Sequence, residues 1–285
     1  MRFRIVEINV SSALSKSGLP DLDYALNPYV GCSHGCLYCY AKEYTKASEV
    51  VENWGWVIAV KRNLLEVLYR EVKRVRRGVV GLGTITDGYQ PVEALYKLSR
   101  KSIEILVSNG FNVSVQTKST LVLRDLDVLK RYSKQVDVGF TITSIRVDSK
   151  MSMLEPFSSP PRARMEALKK LSREGIRTWI FYGPIVPGIN DDLEEVKQVL
   201  QLARETGSIV YFDKFRVKRF MWRDSFLAEL ARKSLGYSWG KFMEKVLELC
   251  QRLGVVCRYG FEYSEEGSGA EPFKTLDKYF AKKQG

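Results

Sequence analysis

Three cysteines close to one another are the residues of this chain most able to do chemistry. Cys32, Cys36 and Cys39 have the spacing C-x3-C-x2-C and follow a strand-like run. Thiolates so close on one loop can each bind one iron of a 4Fe–4S cluster, which leaves the fourth iron without a protein ligand. A small molecule can chelate that open iron, so the spacing predicts a catalytic cluster. Gly31 and Gly35 allow the loop to fold around it, because glycine adopts conformations that other residues resist.

A structural zinc ion is the alternative for the same loop. Zinc accepts three cysteines and one histidine, and His34 is the only histidine of the chain. Such sites usually pair two ligands, skip about a dozen residues and pair two again, whereas here all four side chains lie in one short loop. The spacing therefore favours the iron–sulfur cluster. We expect His34 to be a loop residue oriented by the cluster environment.

The residues around these cysteines resemble the signature of radical S-adenosylmethionine (SAM) enzymes, in the branch related to spore photoproduct lyase and to DNA repair photolyase-like proteins. The resemblance rests on Asn27-Pro28-Tyr29-x-Gly31-Cys32-x-His34-Gly35-Cys36-x-Tyr38-Cys39-Tyr40-Ala41. Shorter segments continue it in the expected order: Asp87–Glu93, Thr117–Ser119, Glu155-Pro156 and Gly183–Asp191. Together they cover most of the chain.

The resemblance implies a partial (β/α)6 barrel with a 4Fe–4S cluster and SAM as cofactors. In this family SAM is chelated to the open iron through its amino and carboxylate groups. Electron transfer into SAM releases methionine and a 5′-deoxyadenosyl radical, which takes a hydrogen atom from the substrate. The cofactors carry the difficult chemistry, and the protein positions them and excludes quenchers. An electron donor such as ferredoxin or flavodoxin is implied as a partner.

Three polar residues on two strands are predicted to bind SAM. By the resemblance, Lys118 at the end of the third strand meets the SAM carboxylate; the alternative is a surface lysine whose stem lies along apolar surface. Thr141 and Thr143 lie two residues apart, so they share one face of the fourth strand. We expect them to bond the ribose or the carboxylate, although polar residues inside a barrel can also bond each other.

Further cofactor contacts follow from the resemblance alone. Asp87 and Gly88 occupy the place where many radical SAM proteins carry a glycine-rich turn for the SAM amine. Tyr38 and the backbone from Pro184 to Val186 are implied to bracket the adenine.

One departure from the lyase branch concerns hydrogen return to the product. Spore photoproduct lyase has a cysteine on the second strand for this step, whereas the matching Gly81–Thr86 has no thiol. This departure puts dimer-splitting lyase activity in doubt. Tyr40 or Tyr89 is the candidate to relay hydrogen instead.

The elements that must position these residues alternate along the chain. Strands are predicted over Tyr24–Val30, Val79–Thr86, Asn112–Thr117, Val136–Thr143, Arg177–Pro184 and Ser208–Phe215, all rich in β-branched and aromatic residues. Helices are predicted over Leu64–Val75, Ala94–Asn109, Asp125–Tyr132, Arg162–Glu174 and Asp191–Glu205. Alternation of this kind predicts parallel pairing in an α/β fold, with working residues at the carboxyl ends of the strands.

The C-terminal part changes character. Residues 1–224 are predicted to form the radical SAM partial barrel with a short lead-in, and residues 225–285 a C-terminal helical extension packed on the same domain. The extension reads as two helices, a short strand at Val255–Tyr259 and a polar end with Gly267 and Gly269. Cys250 lies at helical spacing among apolar residues and is expected in the core, as is Cys257. A disulfide between them requires suitable geometry.

Composition bears on partners and location. The 45 Lys and Arg residues exceed the 33 Asp and Glu residues, for a formal charge of +12. A basic excess attracts nucleic acid, although a charge-rich surface of thermophile type gives the same balance. Cations and aromatics alternate after the sixth strand: Lys214, Phe215, Arg216, Lys218, Arg219, Phe220, Trp222 and Arg223.

No run resembles a signal peptide or a membrane span, so we expect a cytoplasmic enzyme without a membrane partner. Three hypotheses follow. The first is a radical SAM enzyme acting on nucleic acid, by repair or base modification. The second keeps this chemistry on a peptide, protein or small molecule, and the third is a non-catalytic, metal-stapled binding module.

Overall fold

The computed structural model describes residues 3–19, 21–146 and 150–259. Its strands are β1 Arg4–Ile8, β2 Leu14–Lys16, β3 Tyr24–Leu26, β4 Tyr29–Val30, β5 Val57–Lys61, β6 Val79–Leu82, β7 Asn112–Thr117, β8 Val136–Thr141, β9 Arg177–Ile185, β10 Ile209–Lys214 and β11 Cys257–Tyr259. Its α-helices are α1 Ala41–Tyr44, α2 Ser48–Glu52, α3 Leu64–Glu71, α4 Glu93–Tyr96, α5 Leu98–Ser108, α6 Leu126–Arg131, α7 Met151–Leu154, α8 Pro161–Arg173, α9 Leu193–Thr206, α10 Ser225–Leu235 and α11 Trp239–Leu253. Short 3-10 helices span Thr120–Asp125 and Arg219–Arg223.

The main sheet confirms the predicted α/β class. Its strand order is β11-β10-β9-β8-β7-β6-β3-β2. All neighbours are parallel except the edge pair β2 and β3. Within the described residues, the two edge strands do not pair with each other, so the sheet curves as an open, partial barrel. The six strands β3 and β6 to β10 are the ones that the sequence predicts.

Side chains alternate between the two faces of this sheet. Residues such as Val113, Val138 and Ile180 are fully buried under the helices, as expected for a parallel sheet covered on one face. The other row includes Ser114 and Asp137, which are register neighbours and line a central cavity. The lumen of the partial barrel is therefore built from this second row.

Two predicted elements are each broken in two. The run Tyr24–Val30 is split at Pro28, and β3 joins the main sheet while β4 joins β1 and β5 in a second, three-stranded sheet. Proline has no N–H for a continuous ladder. The helix predicted over Ala94–Asn109 is interrupted at Lys97, which has a positive φ of 52°. Strands β1, β2 and β5 were not predicted from the sequence.

Helix ends follow local chemistry. Gly175, with φ of +76°, lies just after α8, as predicted. The next helix is capped by Asp192, whose side chain accepts from the Glu194 N–H at 2.9 Å. The helix that was predicted to begin at Asp191 therefore begins two residues later, at Leu193, and Asn190 serves another purpose described below.

The C-terminal segment contributes to the same sheet. Helix α11 packs on α9, and β11 pairs in parallel with β10. Cys250 is buried and forms a disulfide with the half-buried Cys257, with a Cα–Cα distance of 6.2 Å. The predicted polar end with Gly267 and Gly269 lies outside the described residues. In the described part of the chain, every helix is too short or too polar to cross a bilayer.

Candidate functional site

The three-cysteine loop follows β4 and is anchored by side chains from the loop after β6. Gln90 is fully buried and accepts from the Ser33 N–H at 2.8 Å while donating to the Gly31 carbonyl at 3.2 Å. Thr86 donates to the same carbonyl at 2.5 Å. Gly31 and Gly35 have φ of +84° and +64°, which explains why glycine stands there. The loop is thus fixed before any metal binds.

All three thiols of the loop are free, and Cys36 and Cys39 lie close to cationic side chains. Cys32 and Cys36 are buried, and Cys39 is half-buried. Burial raises the pKa of the Cys39 thiol, while the Lys118 and Lys42 ammonium groups act in the opposite direction. Cations near a thiol favour the thiolate, which is the form that binds metal.

Three free thiols on one loop are a donor set that fits a 4Fe–4S cluster. Among the residues described, no three His, Cys, Asp or Glu side chains lie close enough to share one metal ion. A cubane requires a different arrangement, with one thiolate for each of three irons. Two buried hydroxyls at the site, Ser33 Oγ and Thr143 Oγ1, also lack a hydrogen-bond partner in the described part of the chain. Polar atoms of this kind are usually satisfied by a bound group.

Asp87 joins the cysteine loop to the end of β7. Its carboxylate accepts from the N–H of Tyr89, the hydroxyl of Thr117 and the N–H of Lys118 at 2.7–2.8 Å. Nδ1 of the buried His34 lies 3.3 Å from the same carboxylate. Burial opposes ionisation of Asp87, but His34 and these donors outweigh it and lower its pKa to about 2. Asp87 therefore stands at the predicted place, with its oxygens already bonded to the protein.

Lys118 lies beside the cysteines and within a buried ionic group. Its Nζ is 3.9 Å from Glu155 Oε1 and 5.9 Å from the centroid of the Tyr38 ring. Glu155 also pairs with Arg164 at 2.6 Å and accepts from the Tyr38 hydroxyl. We call Lys118, Glu155 and Arg164 the buried triad. Its Lys118 ammonium is the one charge of the three that remains partly exposed.

The predicted threonines and the Pro184–Val186 turn meet through Asn190. This buried amide donates to the carbonyls of Thr143 at 2.7 Å and Pro184 at 3.0 Å, and accepts from the Val186 N–H at 2.6 Å. Thr141 accepts from Gln116 at 3.2 Å through its hydroxyl. Asn190 thus fixes the carboxyl ends of β8 and β9 relative to each other.

The apolar residues near the cysteine loop form a small core of their own. Val186 is fully buried in a cluster with Leu154 and Phe215, and Tyr38 packs against it. The structure therefore brings Tyr38 and Val186 together. Phe215 is 2% exposed, so it is not available to stack on a ligand.

The two candidate hydrogen-relay tyrosines have opposite environments. Tyr40 lines the lumen cavity and donates to the Thr84 carbonyl. Tyr89 is fully buried in the main core. Gly88 is also closed off, because an added Cβ would lie 2.3 Å from Leu82. Only Tyr40 of these three reaches the lumen.

The lumen cavity has a volume of about 310 Å³, and its lining includes Asp21, Asp137 and Arg177 together with aromatic residues. Asp137 accepts from Ser114 at 2.6 Å and from the Trp179 indole at 2.8 Å, both on Oδ1. Burial raises the pKa of Asp137. The Trp179 ring lies over Gly139, where an added Cβ would be 2.1 Å from the indole. Tyr211 meets the same indole edge-to-face.

The basic segment after β10 is partly neutralised. Arg216 pairs with Asp213 at 3.0 Å, and Lys218 pairs with Glu43 at 3.5 Å. Trp222 is 47% exposed and lies beside Arg232, and Phe220 is covered by the Lys42 ammonium at 4.8 Å. The carboxylate partners come from β10 and α1.

Three buried residues of the site were not predicted from the sequence: Gln90, Arg164 and Asn190. Arg164 had a usable signal, because it occupies the apolar stripe of α8 with Ala167, Leu168 and Leu171. A cation at such a position needs a buried partner. Gln90 and Asn190 lie inside quoted family segments, but only the fold shows what they bond.

Comparison with known proteins adds three findings. A family model for the radical SAM superfamily matches residues 26–203. An uncharacterized protein of Methanocaldococcus jannaschii is 31% identical over 217 residues, which are 76% of this chain and 80% of the relative. A radical SAM Nalpha-GlyT isomerase of Pseudomonas phage M6 is 25% identical over 215 residues, 72% of this chain and 42% of the phage protein.

Among solved structures, spore photoproduct lyase complexed with dinucleoside spore photoproduct superposes with a TM-score of 0.67 at 16% identity. The match covers 90% of this chain and 81% of the lyase. At that identity the likeness establishes a shared fold. A variant of the lyase with bound AdoMet has the same fold.

Proposed function

The chain belongs to the radical SAM superfamily, and from this premise we propose that it is an enzyme that abstracts hydrogen from a nucleic acid base, in repair or modification. The family implies a 4Fe–4S cluster and SAM. When bound, they supply a 5′-deoxyadenosyl radical by reductive cleavage of SAM. A ferredoxin or flavodoxin is the proposed electron donor. The remaining work falls to residues of this chain.

Binding of the cofactors is assigned to the residues around the cysteine loop. Cys32, Cys36 and Cys39 would hold the cluster. Lys118 would hold the SAM carboxylate, because its ammonium is the open end of the buried triad and lies beside these cysteines. The unpartnered hydroxyl of Thr143 is a further donor for the same cofactor.

Replacing Lys118 with methionine is expected to weaken SAM binding about ten- to a hundredfold. The lost charge-assisted hydrogen bond contributes about 1.5–3 kcal/mol. Glu155 keeps Arg164 as its partner, so the fold and the cluster should persist. Equilibrium binding of SAM to anaerobically reconstituted protein measures the effect, with iron content as the check on loading. Lys101→Met, on the exposed side of α5, is the matched control. Equal SAM affinity in both variants would remove Lys118 from the SAM site.

An exposed aromatic pair, of which Tyr40 lines the lumen, supports a base as the substrate. Tyr40 and Tyr44 are 46% and 60% exposed, and their rings meet edge-to-face at 5.9 Å. Exposed aromatics of this kind offer stacking surfaces to unpaired bases. The formal charge of +12 favours a polyanion. The same fold accommodates a dinucleoside in spore photoproduct lyase.

The hydrogen relay is assigned to Tyr40. The three loop cysteines are the proposed cluster ligands, and the other two cysteines form the disulfide. No thiol remains for hydrogen return, which argues against the dimer-splitting reaction. Tyr40 lines the lumen next to Cys39, whereas Tyr89 is enclosed in the core.

A cationic small molecule or peptide side chain is the second candidate substrate. One observation favours it: the lumen contains Asp21, Asp137 and Tyr211 around its cavity. Carboxylates there accept hydrogen bonds from N–H groups, which both an amine and an amino-bearing base can donate.

Transfer of deuterium separates the two substrate classes. The reconstituted enzyme is incubated anaerobically with SAM, a reductant and either deuterated DNA and RNA oligonucleotides or deuterated peptides and polyamines. Mass spectrometry then follows deuterium in 5′-deoxyadenosine. We expect label from an oligonucleotide. Label from peptides or polyamines alone would establish the second candidate instead.

A further inference from the structure

A second cavity lies outside the barrel, against the edge strand β2. Its volume is about 390 Å³, and it is lined by β2, β3, the segment after α1 and the end of β5. We call it the lateral cavity. Gly31 lines it as well, so it is adjacent to the cysteine loop. None of the residues assigned to the cluster or to SAM faces it.

The lateral cavity is lined by two lysines and by no acidic residue of the described chain. Lys61 is half-buried at the end of β5, and Lys46 is exposed in the segment after α1. Neither lysine has an ion-pair or hydrogen-bond partner for its ammonium group in the part of the chain that the structure describes. Burial lowers the pKa of Lys61, and no carboxylate acts against this effect.

This arrangement differs from the basic segment after β10. There, Arg216 and Lys218 are paired with Asp213 and Glu43. Two ammonium groups that line one concave site without counter-charge attract an anion, since a negative group brought to the site offsets the desolvation of Lys61. A concave site of this size matches a phosphate with part of its attached nucleoside.

The lateral cavity is connected to the lumen through the aromatic pair. Tyr44 lines the lateral cavity and Tyr40 lines the lumen cavity, and their rings are in edge-to-face contact. A polymer with alternating bases and phosphates can therefore place a base at the lumen while a neighbouring base covers Tyr44. The phosphate between or beyond them would then lie at Lys46 and Lys61.

We propose that the lateral cavity is a phosphate-binding site that holds the backbone of a single-stranded nucleic acid substrate through Lys46 and Lys61. The Ser and Thr hydroxyls of the lining are already used, because Ser12, Ser15 and Thr45 donate to backbone carbonyls. The assignment to a nucleic acid strand rests on the proposed function, whereas the anion site rests only on the cavity and its lysines.

The test compares two double variants of equal charge. Lys46→Gln/Lys61→Gln changes the site, and Lys101→Gln/Lys241→Gln removes the same charge from exposed positions of α5 and α11. Binding of a labelled single-stranded DNA and the matching RNA to the reconstituted holoenzyme is followed by fluorescence anisotropy across a salt series. Each single-strand phosphate contact contributes a log–log salt slope of about −0.7. We expect the log–log salt slope of the site variant to be less steep than that of wild type by about 1.4, since two contacts are lost.

The same contacts give the expected affinity loss. At about 0.1 M salt a slope of −0.7 corresponds to about fivefold per contact, so the site variant should bind about 25-fold more weakly than wild type. The control variant should bind nearly as wild type does. SAM cleavage without substrate, measured as 5′-deoxyadenosine, should be equal in all three proteins and shows that the cluster is intact.

Inorganic phosphate distinguishes the sources of the anion. Competition by phosphate against the labelled strand should be present in wild type and lost in the site variant. If both double variants bind the strand equally at every salt concentration, the proposed site is wrong. If only phosphate binding is lost, the site takes free phosphate and its assignment to a strand is wrong. Absence of strand binding in wild type would instead overturn the proposed nucleic acid substrate.

Discussion

Replacing any one of Cys32, Cys36 and Cys39 with alanine is expected to remove the 4Fe–4S cluster and to reduce SAM cleavage to background. Each thiolate is expected to bind a different iron, so two remaining ligands cannot complete the site. The loop itself should stay folded, because Gln90 and Thr86 hold it through the backbone at Gly31 and Ser33. Iron and sulfide content, the visible spectrum and 5′-deoxyadenosine formation measure the loss after anaerobic reconstitution.

The two disulfide cysteines provide the matched control. Cys250→Ala/Cys257→Ala removes the two cysteines of the chain that lie outside the loop and should keep a full cluster and SAM cleavage. Stoichiometric zinc in the anaerobically purified protein, with no iron taken up on reconstitution, would instead establish the structural zinc site. A full cluster in a Cys36→Ala variant would exclude this residue as a ligand.

Arg164→Met is expected to destabilise the protein by about 3–5 kcal/mol, the usual cost of breaking a buried ion pair from one side. Arg164 is 1% exposed and also donates to the carbonyls of Ser159 at 2.6 Å and Thr141 at 2.9 Å. Its loss leaves Glu155 with the more distant Lys118. Burial alone would raise the pKa of Glu155, but Arg164 and Lys118 hold it below its usual range.

Because the pKa of Glu155 is lowered in the folded protein, the destabilisation by Arg164→Met should depend on pH. A carboxylate with a lowered pKa stabilises the fold above its unfolded-state pKa, and the contribution is lost as pH falls through the folded-state value. The difference between wild type and Arg164→Met should therefore be full near neutral pH and shrink in acid. Urea unfolding at matched cluster loading measures it.

Arg162→Met on the same helix is the control for this variant. Arg162 is exposed, so its replacement should change the free energy of unfolding by less than about 0.5 kcal/mol. Equal destabilisation by both substitutions would show that the triad contributes no more than surface charge. Glu155 also accepts a hydrogen bond from the hydroxyl of Tyr38, which the family resemblance places against the adenine of SAM. We therefore expect Arg164→Met to weaken SAM binding as well.

Much of the fold could be predicted because the strands of its main sheet are short runs rich in β-branched residues that alternate with amphipathic helices. Asn112–Thr117 was predicted with both boundaries correct, because Val113 and Val115 alternate with polar residues in the period of two that is typical of a strand. Val79–Thr86 was predicted too long, since the strand ends at Leu82 and Gly83 turns with φ of +88°. The second sheet was missed because β1 is half-exposed and has no clear period of two.

Most residues of the candidate site were proposed either from the cysteine spacing or from their positions at the ends of predicted strands. The buried triad could not be predicted in this way, because Lys118, Glu155 and Arg164 come from three different segments. Local pattern carries no information on such long-range pairs. The positions of Tyr40 and Tyr89 illustrate the same limit: both are tyrosines near the motif segments, and only the fold separates a lumen residue from a core residue.

The contact between Trp179 and Gly139 makes the width of the lumen independent of the conformation of the cysteine loop. The Trp179 indole lies where a side chain at position 139 would otherwise be. The cysteine loop is held separately, by Gln90 and Thr86 from the loop after β6. A smaller residue at position 179 would widen the lumen without touching the loop. Under the proposed function, substitutions at this one pair would change the room for substrate and leave the cysteine loop unchanged.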